Sequence, residues 1–392
     1  MSCRQLGALL APRTSTANEA PAWPDEWNDL VASAVAERVA GALSRAVRDR
    51  AGVPETARHE LARELYRAGA FNLLLYRELA RVLRANPTSS PPVVLKGGAL
   101  ATTVYDDIAH RPMSDLDLLV RRGDISRWKD CLERLDYELA SPEMAEGLAD
   151  EVHYQLAFRG GPHRDVVIEL HWNLVAGAGD WRAPDVEWFW RQTEPWPGVD
   201  DLACPPALQL TTAANVVYLS AHAMLQHGHA RTRLVWLLDI HRLITVPAPQ
   251  PPSGLDWSEL VDQARHLRWD AAVSRALEQC VSLFGTPVPD SILASLRQAA
   301  SSRALGHVLD KASVEASRAE AVLRELRCLD APSRRRLVRA ILLPTPEYVK
   351  WRYPRARAFW PLAYVYRWGV VGCEGVAYAG RVLTRALSFV FL

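Results

Sequence analysis

Met113-Ser114-Asp115-Leu116-Asp117-Leu118-Leu119-Val120 decides how the rest of this 392-residue chain is read. The run is mostly apolar and of strand length, so it predicts a strand over 115–120. Side chains two apart on a strand share a face of the sheet, which sends Asp115 and Asp117 the same way. Packing gives a buried strand no reason to carry two carboxylates, whereas a cation between them does. The plainer alternative is a pair of surface or salt-bridged acids on an edge strand.

Upstream, Val93-Val94-Leu95-Lys96-Gly97-Gly98-Ala99-Leu100 reads as a strand over 93–96, a glycine turn, and a helix from Ala99 to about Asp106. Gly97 and Gly98 let a backbone approach a polyphosphate closely, and the helix start offers free amide donors. An ordinary strand-to-helix turn explains the same glycines. Lys96 sharpens the choice. It is one of only four lysines, with Lys129, Lys311 and Lys350, in a chain that otherwise uses arginine for positive charge. A compact ammonium binds phosphate as a point charge.

Further out, Ala85-Asn86-Pro87-Thr88-Ser89-Ser90-Pro91-Pro92 breaks the chain before this strand. Before it, helical spacing covers 26–50 and 55–84, with Leu61, Leu65, Ala68, Phe71, Leu74 and Leu75 as one apolar stripe. On the other side a helix is expected over 125–135 and strands over 153–158 and 166–171. The last two strands are joined through Gly160-Gly161-Pro162-His163 as a hairpin. Glu169 then becomes a third acid in a strand, and His171 shares its face. From Leu208 onward no strand is expected. Amphipathic stretches at 208–228, 232–246, 257–284 and 303–329 predict helices, broken by the proline-rich 246–252. The organisation expected is a helical region over 1–88, an α+β core over 89–200 and a helical region over 201–392 that ends in a basic aromatic tail.

Composition narrows the classes. A hydrophobic content of 49% supports a sizeable core, and the length favours two or three domains. A formal charge of +1 gives no global pull toward nucleic acid or membrane, so such a partner needs a local patch. Six scattered cysteines without a paired spacing argue against structural zinc and a disulfide framework, and fit a reducing cytoplasm. The N-terminal apolar stretch is too short for a signal peptide, and no stretch reaches the roughly 18 apolar residues of a spanning helix.

Hard divalent ions prefer oxygen ligands, and Mg²⁺ is commonly held by one or two carboxylates with phosphate oxygens and water. Asp115, Asp117 and Glu169 supply such a set, and Glu169 alternatively takes a proton from an attacking hydroxyl. The constellation resembles the nucleotidyltransferase superfamily with the DNA polymerase β-like fold: a glycine turn opening a helix, an acid-hydrophobic-acid strand, and a third acid on a later strand. The fuller set looks like a poorly characterised family that begins with a Leu-Lys-Gly motif. That set comprises Leu95 to Leu100, Tyr105, Arg111 to Val120 and Glu169-Leu170-His171-Trp172. The resemblance covers about 90–175. It implies a mixed sheet with flanking helices and transfer of a nucleoside monophosphate from an NTP, ATP included, to an acceptor. Asp115 and Asp117 would hold two Mg²⁺ ions, with Mn²⁺ as the substitute, and pyrophosphate would leave. Ala99 stands where the superfamily usually places serine, so Lys96, Arg111 or Ser114 would take over phosphate contact.

Other residues leave alternatives open. Arg111 pairs either with a triphosphate or with Asp106 or Asp107. His171 assists proton transfer or is a satisfied core histidine. His222, His227 and His229 lack the i, i+4 spacing of a two-histidine metal helix and suit a cap or a substrate pocket. Asp239 pairs with Arg233 or Arg242, or touches substrate. The acceptor is expected to be a hydroxyl or amine of a small molecule, peptide or protein. A catalytically silent nucleotide-binding protein is one alternative and transfer onto tRNA or other RNA another. The RNA reading draws on Arg334-Arg335-Arg336 and on Lys350-Trp351-Arg352-Tyr353-Pro354-Arg355-Ala356-Arg357-Ala358-Phe359-Trp360. The same tail suits a membrane surface or a terminal helix pair packed on the core.

Overall fold

A computed structural model of the chain describes residues 3–11, 27–161, 166–176, 184–199, 202–228, 231–246, 255–300, 322–323, 326 and 329–390. Pro162, His163, His229, the proline-rich 247–252 and most of the helix expected over 303–329 lie outside the described residues.

The chain opens with helices α1 (Cys3–Leu10), α2 (Trp27–Ala36), α3 (Ala40–Val47) and the long α4 (Glu55–Arg84). The stretch expected as helix over 26–50 is therefore two helices. Arg38 takes a left-handed φ of 59° between them, which reverses the chain. Of the apolar stripe on α4, Leu61 and Leu75 are buried while Leu65, Ala68, Phe71 and Leu74 are half-buried. Leu79, Val82 and Leu83 extend the buried face.

The core follows as β1 (Val93–Val94), α5 (Lys96–Thr103), β2 (Leu116–Leu119), α6 (Ile125–Arg134), β3 (Tyr137–Leu139), α7 (Leu148–Val152), β4 (Gln155–Gly160) and β5 (Val166–His171). Then come α8 (Val186–Arg191), β6 (Thr193–Pro195) and β7 (Leu208–Leu210). The strands make one mixed seven-stranded sheet in the order β3-β4-β5-β2-β1-β7-β6. β4 and β5 form the expected antiparallel hairpin, whereas β2 runs parallel to β5 and β1 parallel to β7. The architecture is α+β, as the resemblance implies. β7 corrects the expectation of no strand after Leu208: three residues are too few for an alternating pattern, and their backbone pairs with β1 from more than a hundred residues away.

Each sheet face buries its own core. Leu116, Leu118, Ile168 and Leu170 pack with Leu79 and Leu83 of α4 and with Trp128 and Leu132 of α6. Val93, Leu95, Leu119 and Leu210 face the other way and join the larger cluster with the C-terminal helices. Each large apolar side chain so buried contributes about 1.5–3 kcal/mol. Packing in the larger cluster runs continuously from Leu6 to Leu296.

α9 (Thr212–Ala221) passes directly into a π-helical segment (His222–His227), and α10 (Leu234–Thr245), α11 (Trp257–Leu267), α12 (Asp270–Phe284) and α13 (Asp290–Ala300) follow. The stretch expected as one helix over 257–284 is broken where Arg268 turns left-handed at φ 60°. Beyond lie α14 (Ala331–Leu342), α15 (Pro346–Arg352) and α16 (Trp360–Val390). No described helix is long and apolar enough to cross a membrane.

Candidate active site

Strand register builds one wall of the site. Asp117 on β2 lies opposite Glu169 on β5, and Leu119 lies opposite His171, so Asp117, Glu169 and His171 share a face. Asp115 precedes β2 by one residue and continues that face. Both strands are interior to the sheet, which removes the edge-strand reading of these acids.

Lys96 closes the wall. β1 ends at Val94, two residues earlier than the sequence suggests, and Lys96 opens α5 with a left-handed φ of 47°. A non-glycine residue there costs on the order of 1–3 kcal/mol, held by its surroundings. Its ammonium lies 2.7 Å from Asp117 Oδ1 and 3.7 Å from Glu169 Oε2. His171 Nε2 is 2.9 Å from the same Asp117 oxygen and 3.5 Å from the same Glu169 oxygen. Burial works against the Lys96 charge, but Asp117, then Tyr218 and Glu169, outweigh it and hold its pKa well above the usual lysine value. Burial likewise disfavours the Asp117 carboxylate, and Lys96 and His171 reverse that, holding it far below its ordinary range. For His171, bonds to Asp117 and Glu169 overcome burial and raise its pKa. Asp115 is pushed upward, by burial first and by the Asp117 charge second.

Gly97 and Gly98 sit in the first turn of α5 rather than in a separate turn. A Cβ at Gly97 would meet Met113 Cγ at 3.0 Å and Arg111 Nη1 at 3.1 Å, and one at Gly98 would meet Val94 Cγ1 at 2.9 Å. Gly97 therefore lets α5 close on the segment that leads into the acid strand, and Gly98 lets it close on β1. Ala99 is buried in the sheet's core.

Arg111 pairs with neither Asp106 nor Asp107. It forks onto Asp239 of α10, with Nη2 at 2.7 Å from Oδ2 and Nε at 2.8 Å from Oδ1, and Tyr105 donates to the same carboxylate at 2.7 Å. Asp106 instead pairs with Arg45, and Arg242 lies over the Tyr105 ring. The expected pairing of Asp239 with Arg233 or Arg242 is corrected in the same way. The fold brings residues 128 apart in sequence into a bidentate pair that outcompetes both local partners.

These residues line a pocket of about 580 Å³ that holds Lys96, Gly97, Arg111, Ser114, Asp115, Asp117 and Glu169 together. Gly98 lies just behind it, its carbonyl accepting from Tyr76. The opposite wall is helical. The π-helical segment contributes His222, Gln226 and His227, and the start of α10 contributes Arg233 and Trp236. The His227 and Trp236 rings lie 4.6 Å apart, tilted by 35°. Burial, and then the Lys96 charge, lower both histidines, His222 far and His227 to about 4. Both are neutral at physiological pH.

Arg38 and Arg231 also line the pocket. Arg38 reaches it because Glu37 clamps the chain to α10, accepting from the Leu234 and Val235 amides. Its guanidinium donates to Ser114 Oγ at 3.0 Å, and that hydroxyl donates to Asp115 Oδ1 at 3.0 Å. Burial, then Arg233, lower the Arg38 pKa, so positive charge is crowded here. Nothing in the local sequence marks Arg38, Gln155, Gln226 or Arg233. Only the histidines of this wall carried a signal.

The donor set suits a hard divalent ion. Asp117, Glu169 and His171 present ligand atoms within 4.8 Å of one another, and Asp115 adds carboxylate oxygens at the same pocket. Residues 24–285 match the family described as uncharacterised nucleotidyltransferase. No curated protein and no solved structure matches the chain.

Proposed function

This chain belongs to the uncharacterised nucleotidyltransferase family, and from that premise we propose that it moves an NMP from an NTP to a hydroxyl or amine of a small molecule, peptide or protein. Pyrophosphate is released, and the reaction takes place in a reducing cytoplasm. The observation that carries this reading is the register of Asp117 against Glu169, with Asp115 on the same face of one cation-rimmed pocket.

Asp115 and Asp117, with Glu169 beside them, are the residues that would hold Mg²⁺ or Mn²⁺. A bound divalent ion supplies Lewis-acid stabilisation of charge on the phosphoryl oxygens and lowers the pKa of the attacking hydroxyl. Arg38 and Arg233 bind the polyphosphate, which relieves the crowding of their charges. Lys96 keeps Asp117 ionised and in place, and meets phosphate as a point charge. Ser114 fixes the Asp115 carboxylate through its hydroxyl. Arg111, locked on Asp239, sets the position of the strand entrance, with Nη1 on the Pro112 carbonyl at 2.8 Å. Glu169 accepts the proton of the acceptor group when that group attacks the α-phosphorus and the bond to pyrophosphate breaks.

An acceptor screen with labelled ATP, GTP, CTP and UTP, read by intact mass and pyrophosphate release, tests the proposal. Transfer retained by the double variant Asp115→Asn/Asp117→Asn would overturn it. A second reading, nucleotide binding without turnover, draws on Ala99 in place of serine and on Lys96 already neutralising Asp117. Tight NTP binding by calorimetry with no product from any acceptor supports that reading instead.

A further inference from the structure

Residues 330–390 lie beyond the family match and differ in character from the rest of the chain. They carry eleven arginines and lysines against three acids, a net +8 in a chain whose total is +1. They also hold ten of the fourteen exposed large hydrophobic side chains among the described residues. Soluble surfaces scatter such side chains singly. Here they concentrate on one structure.

That structure is anchored to the body at one end. Leu337 and Ala340 of α14 pack against Leu148 of α7, Arg336 pairs with Glu151, and the Thr345 amide donates to the Met144 carbonyl at 2.9 Å. Arg367 is enclosed, its Nε donating to the Ile341 carbonyl at 2.8 Å, so α16 is held on α14. Away from this anchor, Phe359 is 70% exposed, Leu362 67%, Val365 62% and Tyr366 64%. Tyr353, Phe359, Leu362 and Tyr366 wall a cavity of about 640 Å³ whose remaining lining includes Arg352 and Arg355. Both arginines are exposed.

We propose that this cavity and the outer face of α16 bind the surface of an anionic phospholipid bilayer. Lipid phosphates would sit at Arg352 and Arg355 and acyl chains against Phe359, Leu362 and Tyr366. An excess of basic charge flanking exposed apolar and aromatic side chains is what an interfacial segment needs, since arginines meet lipid phosphate while the rings enter the headgroup boundary. The apolar side chains argue for lipid over RNA. Single-stranded RNA stacks on flat aromatic faces, whereas Leu362 and Val365 give it nothing to stack on and suit an acyl chain. No described helix is long and apolar enough to cross a bilayer, and the contact proposed is with its surface.

Sedimentation of the full chain with large unilamellar vesicles tests this. Vesicles of equal parts phosphatidylcholine and phosphatidylglycerol should pellet the protein, pure phosphatidylcholine should not, and added salt should weaken binding. The exposed pairs Arg352→Glu/Arg355→Glu and Phe359→Ser/Leu362→Ser should each weaken it by about tenfold or more, with thermal melting unchanged. No pelleting with anionic vesicles, equal pelleting with neutral ones, or full binding by both variants overturns the proposal. So does binding of a single-stranded RNA oligonucleotide without vesicle binding. None of these outcomes depends on nucleotidyl transfer.

Discussion

Asp117 and Asp239 are both buried, and each holds a basic side chain at 2.7 Å, yet the two acids serve different ends. Asp239 is saturated by the Arg111 fork and the Tyr105 hydroxyl, and neither Asp239 nor Tyr105 lines the pocket. Asp117 is bound at a single oxygen, which Lys96 and His171 share, and its carboxylate opens on the pocket with Asp115 and Glu169. An ion pair that has used up its lone pairs holds a scaffold. One that has not can still take a ligand.

The largest effect expected from breaking this contrast is on activity at the open pair. Asp115→Asn/Asp117→Asn should retain the fold, because amides keep the shape and Lys96 keeps a polar partner. Losing several kcal/mol of charge stabilisation at the phosphoryl group corresponds to roughly a thousandfold or more in rate. Pyrophosphate release measures the rate, and circular dichroism measures the fold. A double variant that melts far below the wild type would place Asp117 with the scaffold instead.

At the closed pair the effect should fall on stability. Asp239→Ala leaves the Arg111 guanidinium buried without its partner, at a cost of about 3–5 kcal/mol. Arg111→Met/Asp239→Leu should recover most of that loss, since an apolar pair of similar volume tolerates the site. Urea denaturation of the three proteins checks both statements. If Asp239→Ala is as stable as wild type but binds nucleotide poorly, Asp239 belongs to the substrate site.

Legibility in the sequence follows the same division. Asp115, Asp117, Glu169, Lys96 and the glycines could be read because each lies in a short segment whose pattern is broken by a charge or a glycine, and the sheet register then follows from alternation. The Arg111–Asp239 pair could not, because sequence alone gives no measure of contact between residues 128 apart. The helical wall was legible only through its histidines, since arginine is so common in this chain that Arg38 and Arg233 do not stand out. β7 was invisible for a third reason: three residues have no period to detect.

A smaller effect should separate the two walls of the pocket. Arg38→Ala removes a charge-assisted bond to Ser114 and a cation from the phosphate side, without touching either buried pair. Charged hydrogen bonds contribute about 1.5–3 kcal/mol, so nucleotide binding should weaken by about tenfold or somewhat more, with stability nearly unchanged. Calorimetric titration with ATP reads this. Unchanged affinity would mean that the polyphosphate does not use this wall.

The smallest effect is a pH dependence in which the two walls pull oppositely. Burial is the leading cause that lowers His222 well below the ordinary 6.5 and brings His227 and His241 to about 4. The unfolded chain takes up protons near pH 6.5 that the fold refuses, so their contribution is whole above that pH and is lost as pH falls toward 4. Asp115 works the other way. With its pKa raised above 3.8 by burial and by Asp117, it accepts a proton in the fold before it would in the unfolded chain, and it favours the fold as pH falls through that range. The lowered histidines should therefore make urea midpoints decline from pH 7 to pH 5, an effect that His171, with its raised pKa, partly offsets. His241→Gln should flatten part of that decline, because this histidine lies away from the pocket, its ring bonded to Thr286 Oγ1 and packed by Phe284. Asp115→Asn should remove the opposing gain, so that midpoints fall further as the pH drops. If Asp115→Asn instead made the decline shallower, Asp115 would not be opposing the histidines, and the separation of the two walls would fail.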